Sequence, residues 1–487
     1  MRTKWFNPLL IFSLLSLAVV PMASSATGLL ASAAGTAAPF VEVGPKAVQE
    51  KAVNPNQTLF TCQVGLTPGV VCYDPFQMRH AYGIDSLINA GFTGAGRTIV
   101  IIDAFQSPTL LTDLDTFDAT YGLPARSAFF TQVAPDGQTP FDPSNADMVG
   151  WSSEITLDVE WAHAIAPGAK VVLDLAKSDQ DADILSATTY AVNHKLGNVI
   201  SQSFGENESC VDSTLLKSEH NLFVKATLEH ITLLASSGDE GAAQATCDGS
   251  SWVRAASSPA SDPLVTAVGG TELHAADYCL SSLGCDPTKA PAPGTYQSEV
   301  AWNEFNSDST GGGFSVLYPK PVYQLVAIHG NKGRGVPDVA YNAAIYHGVL
   351  VFWDGSWYLF GGTSCGSPQW AGIVAIADQK AGRSLGFINL ALYLFNLSPN
   401  KYTNPFHDIT KGNNTVVETD SGGNPVSVQG FNAGPGWDAT TGLGSPYADR
   451  VVNFLIRYAS VSDANQAIAE SIPNASNHSG HHKVNAH

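Results

Sequence analysis

The run Gly362-Thr363-Ser364-Cys365-Gly366-Ser367-Pro368 sets one serine hydroxyl in a tight turn of small residues. Pro368 falls where the first turn of a helix tolerates a missing N–H. Gln369 to Ile376 then continues as an apolar helical stretch. Free N–H groups and the positive dipole end of a helix favour a developing anion. A serine that attacks a carbonyl wants that position. Gly-Thr-Ser before a helix is also an ordinary N-cap, so the partners of Ser364 decide the matter.

The candidate partners are acids. Ser152 to Pro167 reads as a helix capped by Ser152 or Ser153 and ended by Pro167. Glu154 and Asp158 are i and i+4 on it, stacked on one face. Trp161, Ala162 and Ile165 continue that stripe, so the acids share a face with apolar residues. An exposed like-charge pair of this kind costs about 0.2–0.5 kcal/mol. In a pocket the repulsion grows, and sharing a proton relieves it by raising one pKa. The plain alternative is two acids on a solvated helix face. A third acid, Asp239, follows an apolar strand in Ser236-Ser237-Gly238-Asp239-Glu240-Gly241. Its glycines permit close backbone approach, although Gly-Asp is also a common turn.

A conventional serine hydrolase needs an imidazole base. The chain has 13 histidines, but none sits in a glycine-flanked turn or helix start suited to that work. His163 shares the acidic helix but lies off the Glu154 stripe. Near about pH 4 an ordinary histidine is almost wholly protonated, whereas a glutamate titrates at about that pH. A protonated Asp can also donate a hydrogen bond to an oxyanion, as a carboxylate cannot.

These residues need a frame. Short, continuously apolar runs recur at Thr98–Asp103, Lys170–Leu175, Asn198–Ser203, Ile231–Ser236 and Leu264–Val268, with helical patterns between several of them. Such runs predict an α/β fold with a parallel sheet covered on both faces. Chemistry in such sheets gathers at the carboxyl ends of strands, and Asp103, Ser203 and Asp239 lie at or just beyond such ends.

The chain has 487 residues, 43 acidic against 24 basic, with a formal net charge of −19. That balance argues against nucleic acid and anionic membranes as partners. Arg2 and Lys4, the apolar run Leu9–Val20 and the small residues Ala23 to Ala26 read as a secretory signal peptide, residues 1–26. No later segment is long and apolar enough to span a bilayer, so a secreted, extracellular protein is expected. Residues 27–72 read as an extended lead-in or short pro-like segment. Residues 73–458 form the folded domain, and 459–487 a polar, histidine-containing tail. Seven cysteines suggest three local pairs, Cys62 with Cys72, Cys210 with Cys247 and Cys279 with Cys285, leaving Cys365 as a packed thiol. No C-x-x-C or His/Cys cluster has zinc spacing.

Taken in order, Glu154-x-x-Leu157-Asp158 with Ala164-Ile165-Ala166-Pro167, Ser237-Gly238-Asp239, and Gly362-Thr363-Ser364 with Pro368 resemble the sedolisins, the serine-carboxyl peptidases. Trp302-Asn303-Glu304, Gly311-Gly312-Gly313-Phe314-Ser315 and Pro337-Asp338-Val339-Ala340 are similar to connecting motifs of the same family. The resemblance covers about Tyr73 to Leu455. It implies a subtilisin-like α/β fold and a peptidase that works in acid on protein or peptide substrates. By the same resemblance, Ser364 is the nucleophile, Glu154 the general base and then acid, Asp158 the residue sharing its proton, and Asp239 an oxyanion donor. Asp103 would extend the carboxylate network.

The family also binds one calcium ion. His407-Asp408-Ile409-Thr410 and Gly434-Pro435-Gly436-Trp437-Asp438 match that pattern, so Asp408, Ile409, Gly434, Gly436 and Asp438 are the implied ligands. The chain departs from the family in its short segment ahead of the domain, in Gly361 where Ser is usual, and in Glu240, Cys365 and Phe204. A monomer is expected. The competing readings are a catalytically inactive subtilisin-fold binding or adhesion protein and a neutral, histidine-dependent ester hydrolase. Covalent labelling of Ser364 in acid separates the first from a peptidase, and a rate that keeps rising above the histidine pKa would mark the second.

Overall fold

The computed structural model describes residues 46–49, 59–397 and 404–459. The expected signal peptide, most of the lead-in and the tail beyond 459 lie outside them. The strands that frame the site are Lys46–Gln49 (β1), Val71–Tyr73 (β2), Thr98–Ala104 (β3), Phe130–Val133 (β4), Lys170–Ala176 (β5), Val199–Gln202 (β6), Thr232–Ser236 (β7), Thr266–Ala275 (β8), Tyr296–Ala301 (β9), Val339–Asn342 (β10), His347–Trp353 (β11) and Ser356–Gly361 (β12). The central eight-stranded sheet has the order β9-β8-β7-β6-β3-β5-β4, with β10 also on β8. All its pairings are parallel except β8 with β9.

Four helices matter to the site: Ala146–Ile165 (α1), Asp181–His194 (α2), Ser213–Leu228 (α3) and Gly366–Ala381 (α4). Helices α1 and α4 pack on each other and on β3, while α2 and α3 pack on each other and on β3, β5 and β7. The sheet is therefore covered on both faces, which is why β3, β6 and β7 are apolar along their length. This is the mostly parallel α/β arrangement read from the sequence.

Every residue of α1 from Trp151 to Ile165 is buried. A helix apolar on nearly all sides belongs inside a core, and α1 carries Glu154, Asp158 and Glu160 in with it. Its start is a correction to the sequence reading. The cap is Asn145, whose Oδ1 accepts from the N–H groups of Asp147 and Met148 at 2.9 and 3.2 Å, and Asp147 in the first turn suits the dipole. Ser152 and Ser153 lie inside the helix, where Ser153 Oγ donates to the Gly150 carbonyl.

Strand β8 runs beyond the expected Leu264–Val268. Its first half lies parallel to β7 and β10, and its second half pairs antiparallel with β9. A second sheet has the order β1-β12-β11-β2. There β1 runs antiparallel to β12, Lys46 facing Gly361, and β2 runs parallel to β11. The described residues ahead of Tyr73 are thus built into the hairpin that leads to Gly362. The Cys62–Cys72, Cys210–Cys247 and Cys279–Cys285 disulfides are all formed, and Cys365 is free and buried.

Candidate active site

Strand β12 ends at Gly361, and α4 begins at Gly366. The turn between them holds Ser364, which is 7% exposed. Its hydroxyl lies 3.5 Å from the Ser203 carbonyl oxygen and also contacts Glu154. Glu154 and Asp158, one turn apart on α1, interact with each other. Asp158 Oδ1 accepts from Ser203 Oγ at 2.9 Å. Asp103, near the end of β3, is close enough to Asp158 for their charges to act on one another. Glu154, Asp158 and Asp103 are all fully buried.

Three buried carboxyls with no ion pair among the described residues cannot all be ionised. Burial pushes Glu154 well above the ordinary carboxyl range; the charges of Asp158 and Asp103 push the same way, and the Ser364 contact opposes them. Burial raises Asp158 to about 8 against the pull of its Ser203 hydrogen bond and of its contact with Glu154. Burial, then the Asp158 charge, raises Asp103 well above its usual value. No donor of full hydrogen-bond geometry reaches Glu154 or Asp103, or the second oxygen of Asp158. Protons shared among the acids are what such oxygens require.

Asp239 arrives from the loop after β7. Its Oδ1 accepts from the Thr363 N–H at 2.7 Å and from Thr363 Oγ1 at 2.8 Å. The loop is clamped by the triple-glycine segment: Gly311 N–H donates to Gly238 O, Ser309 N–H donates to Asp239 O, and Ser237 Oγ donates to Gly311 O. A side chain at Gly311 would collide with the Ser237 carbonyl, which gives that glycine its physical reason. Glu304 accepts from Ile345 and Tyr346 N–H at 2.6 and 3.0 Å. Asp338 forms a fully buried pair with Arg334. The connecting motifs are therefore braces around the site.

The remaining candidates separate cleanly. His163 is stacked on Phe129, with Nε2 3.1 Å from Pro124 O, and burial lowers its pKa to about 3. Burial pushes the Cys365 thiol far up, so it is a packed thiol and not a nucleophile. Glu160 faces away, accepting from Phe352 N–H at 3.2 Å and tying α1 to β11. The sequence reading named Ser203 only as a strand end; its hydroxyl bond to Asp158 depends on how β6 and α1 meet.

Asp408 accepts from Gly436 N–H through both oxygens, at 3.0 and 3.2 Å. Asp438 accepts from the N–H groups of Gly434, Thr440 and Thr441 at 2.9, 2.9 and 2.8 Å. The segment Gly434–Asp438 thus brings both acids to one loop, with Ile409 buried beside Asp408 in the chain. Among the described residues no ion pair includes Asp408 or Asp438. Two carboxylates brought to one loop, with no ion pair among the described residues, are donors of the type that a hard divalent ion takes.

The chain is 34% identical over 399 residues to kumamolisin from Bacillus sp. (strain MN-32), covering 80% of this chain and 64% of that one. It is 33% identical over 369 residues to sedolisin from Pseudomonas sp. (strain 101), covering 72% of this chain and 57% of that one. The chain thus spans about three-fifths of the length of these relatives. Among solved structures it is similar to Pseudomonas sedolisin, a serine-carboxyl proteinase complexed with two molecules of pseudo-iodotyrostatin. The TM-score is 0.66 at 28% identity, covering 80% of this chain and all of the other. No family model matches the chain.

Proposed function

This chain belongs to the sedolisin family, and from that premise we propose that it is a secreted serine-type endopeptidase that cleaves proteins in acid. The observation that carries the reading is the Ser364 hydroxyl set against the buried Glu154–Asp158 pair, with acids where a neutral serine hydrolase has an imidazole.

Ser364 Oγ attacks the scissile carbonyl carbon as Glu154 takes the hydroxyl proton. Asp158, held by Ser203, shares the proton that the pair already holds at rest, so the pair passes from one net negative charge to neutral as it accepts the Ser364 proton. The carbonyl oxygen becomes an oxyanion, which receives a hydrogen bond from protonated Asp239 and one from the backbone N–H of Ser364. One such donor is worth about 3–4 kcal/mol in the transition state. Glu154 returns its proton to the leaving amine as the C–N bond breaks. Water then attacks the acyl-enzyme by the same route and frees Ser364. Burial and the Asp158 charge favour the protonated form of Asp103, so it extends the carboxylate network as a neutral acid.

One calcium ion held by Asp408, Ile409, Gly434, Gly436 and Asp438 would supply positive charge to two acids that form no ion pair among the described residues. Export is supported by three disulfides, which persist in oxidising compartments. No helix among the described residues is long and apolar enough to cross a membrane. Substrates are proteins or peptides, and the protein acts as a monomer. Ser364→Ala and Glu154→Gln should each abolish cleavage of a denatured protein in acid. Undiminished activity in either variant rejects the assignment.

A further inference from the structure

We propose that Glu272, His274 and His347 form a binding site for a zinc-class divalent metal ion, separate from both the peptidase site and the oxygen-lined loop. Glu272 and His274 are two residues apart on β8, so their side chains leave the same face of the strand. His347 opens β11, in the other sheet. One ligand atom from each of the three lies within 4.8 Å of the others. Glu272 Oε1 is 3.2 Å from His274 Nε2 and 3.8 Å from His347 Nε2. Around a tetrahedral zinc with bonds of about 2.0–2.1 Å, neighbouring ligand atoms stand about 3.3 Å apart. The Glu272 oxygen therefore stands from both imidazoles close to the separation that an ion would impose.

The surroundings hold His347 as a ligand needs to be held. Its Nδ1 lies 2.9 Å from the Leu273 carbonyl oxygen. A carbonyl only accepts, so Nδ1 carries a proton and Nε2 is the nitrogen turned toward Glu272 and left for a metal. The backbone on both sides is fixed: Asn342 accepts from Leu273 N–H at 2.9 Å and donates to His347 O at 2.7 Å. Asp277 is near enough to feel the charge of His347, and its Oδ1 is buried without a hydrogen bond. That oxygen is not one of the three clustered ligand atoms, and it is a candidate acceptor for a metal-bound water. The three side chains are 18–37% exposed, so an ion can enter.

Two imidazoles and a carboxylate select zinc and its borderline neighbours over calcium or magnesium, which take oxygen. The ligands come from two strands of two sheets, so the ion would act as a clamp. It would tie β8 to the β11–β12 hairpin that ends at Gly361.

The test uses the full-length chain with the tail residues His478, His481, His482 and His487 replaced by Asn. The protein is stripped with EDTA, saturated with Ca2+ to fill oxygen-only sites, and titrated at neutral pH with Zn2+ by calorimetry and with Co2+ by visible absorption. The expected result is one equivalent of Zn2+ bound, a Co2+ spectrum of low coordination number, and a rise in Tm with Zn2+. His347→Ala and Glu272→Gln should each weaken binding at least about 10–100-fold and remove the Tm rise. Glu272→Gln keeps the shape of the side chain, so its loss of binding cannot be laid to misfolding. No saturable binding at micromolar Zn2+, or unchanged affinity in Glu272→Gln, overturns the proposal.

Discussion

Gly362 lies directly against the Asp239 carboxyl: a Cβ on residue 362 would stand 2.5 Å from Asp239 Oδ2. The residue also has φ +110°, a conformation open to glycine and strained for any L side chain. Room for Asp239 and the shape of the nucleophile turn therefore depend on the same missing methyl. Gly362→Ala should displace Asp239 from the oxyanion position and lower kcat by about 10²–10³, the range for losing one such donor. KM should change far less. Steady-state kinetics on a peptide in acid, with Asp239→Ala alongside, check this. An alanine enzyme with the parent kcat would remove Asp239 from the oxyanion role.

The Ser203 side chain tunes the acid pair, while its backbone carbonyl is the group that faces the Ser364 hydroxyl. Its hydroxyl donates to Asp158 Oδ1 at 2.9 Å, which favours the ionised form and lowers the Asp158 pKa. Removing that donor in Ser203→Ala leaves burial less opposed, so the pair holds its proton to higher pH. The alkaline limb of kcat/KM should move upward by about one pH unit or less, with the acid-side rate little changed. A limb that stays in place or moves down would mean that the Asp158 proton does not control the rate.

Buried acids also set how stability depends on pH. Burial first, and neighbouring charge in several cases, raises Glu154 and Asp103 well above the carboxyl range, Asp158 and Asp174 to about 8 and Asp378 to about 7. In the unfolded chain these groups titrate at about 4. Between the two values the native state binds more protons than the unfolded state, so stability falls as pH rises. It is fully present below about pH 4 and lost progressively through about pH 7–8. Urea midpoints measured across that interval in EDTA should decline steadily. Asp103→Asn, which cannot ionise, should flatten the decline. A midpoint that climbs with pH would contradict the burial of these acids.

The frame was legible because its forces are local. Continuous apolar runs gave β3, β5, β6 and β7 nearly to the residue, and glycine-flanked turns marked Ser364 and Asp239. Less legible were features fixed by distant partners. The second half of β8 is interrupted by Gly269-Gly270 and then alternates Glu272, Leu273 and His274, so only its pairing with β9 reveals a strand. The start of α1 was misread because Ser152 and Ser153 mimic caps, while Asn145 stands further up the chain. The His347–Glu272 encounter joins residues far apart in sequence, and no spacing motif announces it.

The Arg334–Asp338 pair offers a test of the bracing motifs. Both side chains are fully buried, and Arg334 Nη1 and Nη2 approach Asp338 Oδ1 and Oδ2 at 2.8 and 2.6 Å. Asp338 also accepts from Ala267 N–H at 2.8 Å and from Tyr393 Oη at 2.9 Å. Removing one partner strands a buried charge, a loss of about 3–5 kcal/mol. Arg334→Met should therefore destabilise by that order in urea unfolding. Converting both residues to apolar ones of similar volume should destabilise less than the two single changes combined, although Ala267 N–H then loses its acceptor.

Asp438 provides the sharpest check on the calcium reading. Its carboxyl gathers three backbone N–H groups and no cationic side chain among the described residues. If an ion supplies the missing charge, EDTA should lower Tm and Ca2+ should restore it. By mass action the gain is about 2.7 kcal/mol when free Ca2+ is about a hundred times its Kd. Asp438→Asn keeps an acceptor oxygen for the N–H groups but removes a formal charge. That variant should melt at the temperature of the EDTA-treated parent and respond little to Ca2+. Mg2+, which prefers tight octahedral coordination and keeps its waters, should not substitute. A parent protein whose Tm ignores both EDTA and Ca2+ would leave Asp408 and Asp438 as loop braces held by backbone hydrogen bonds alone.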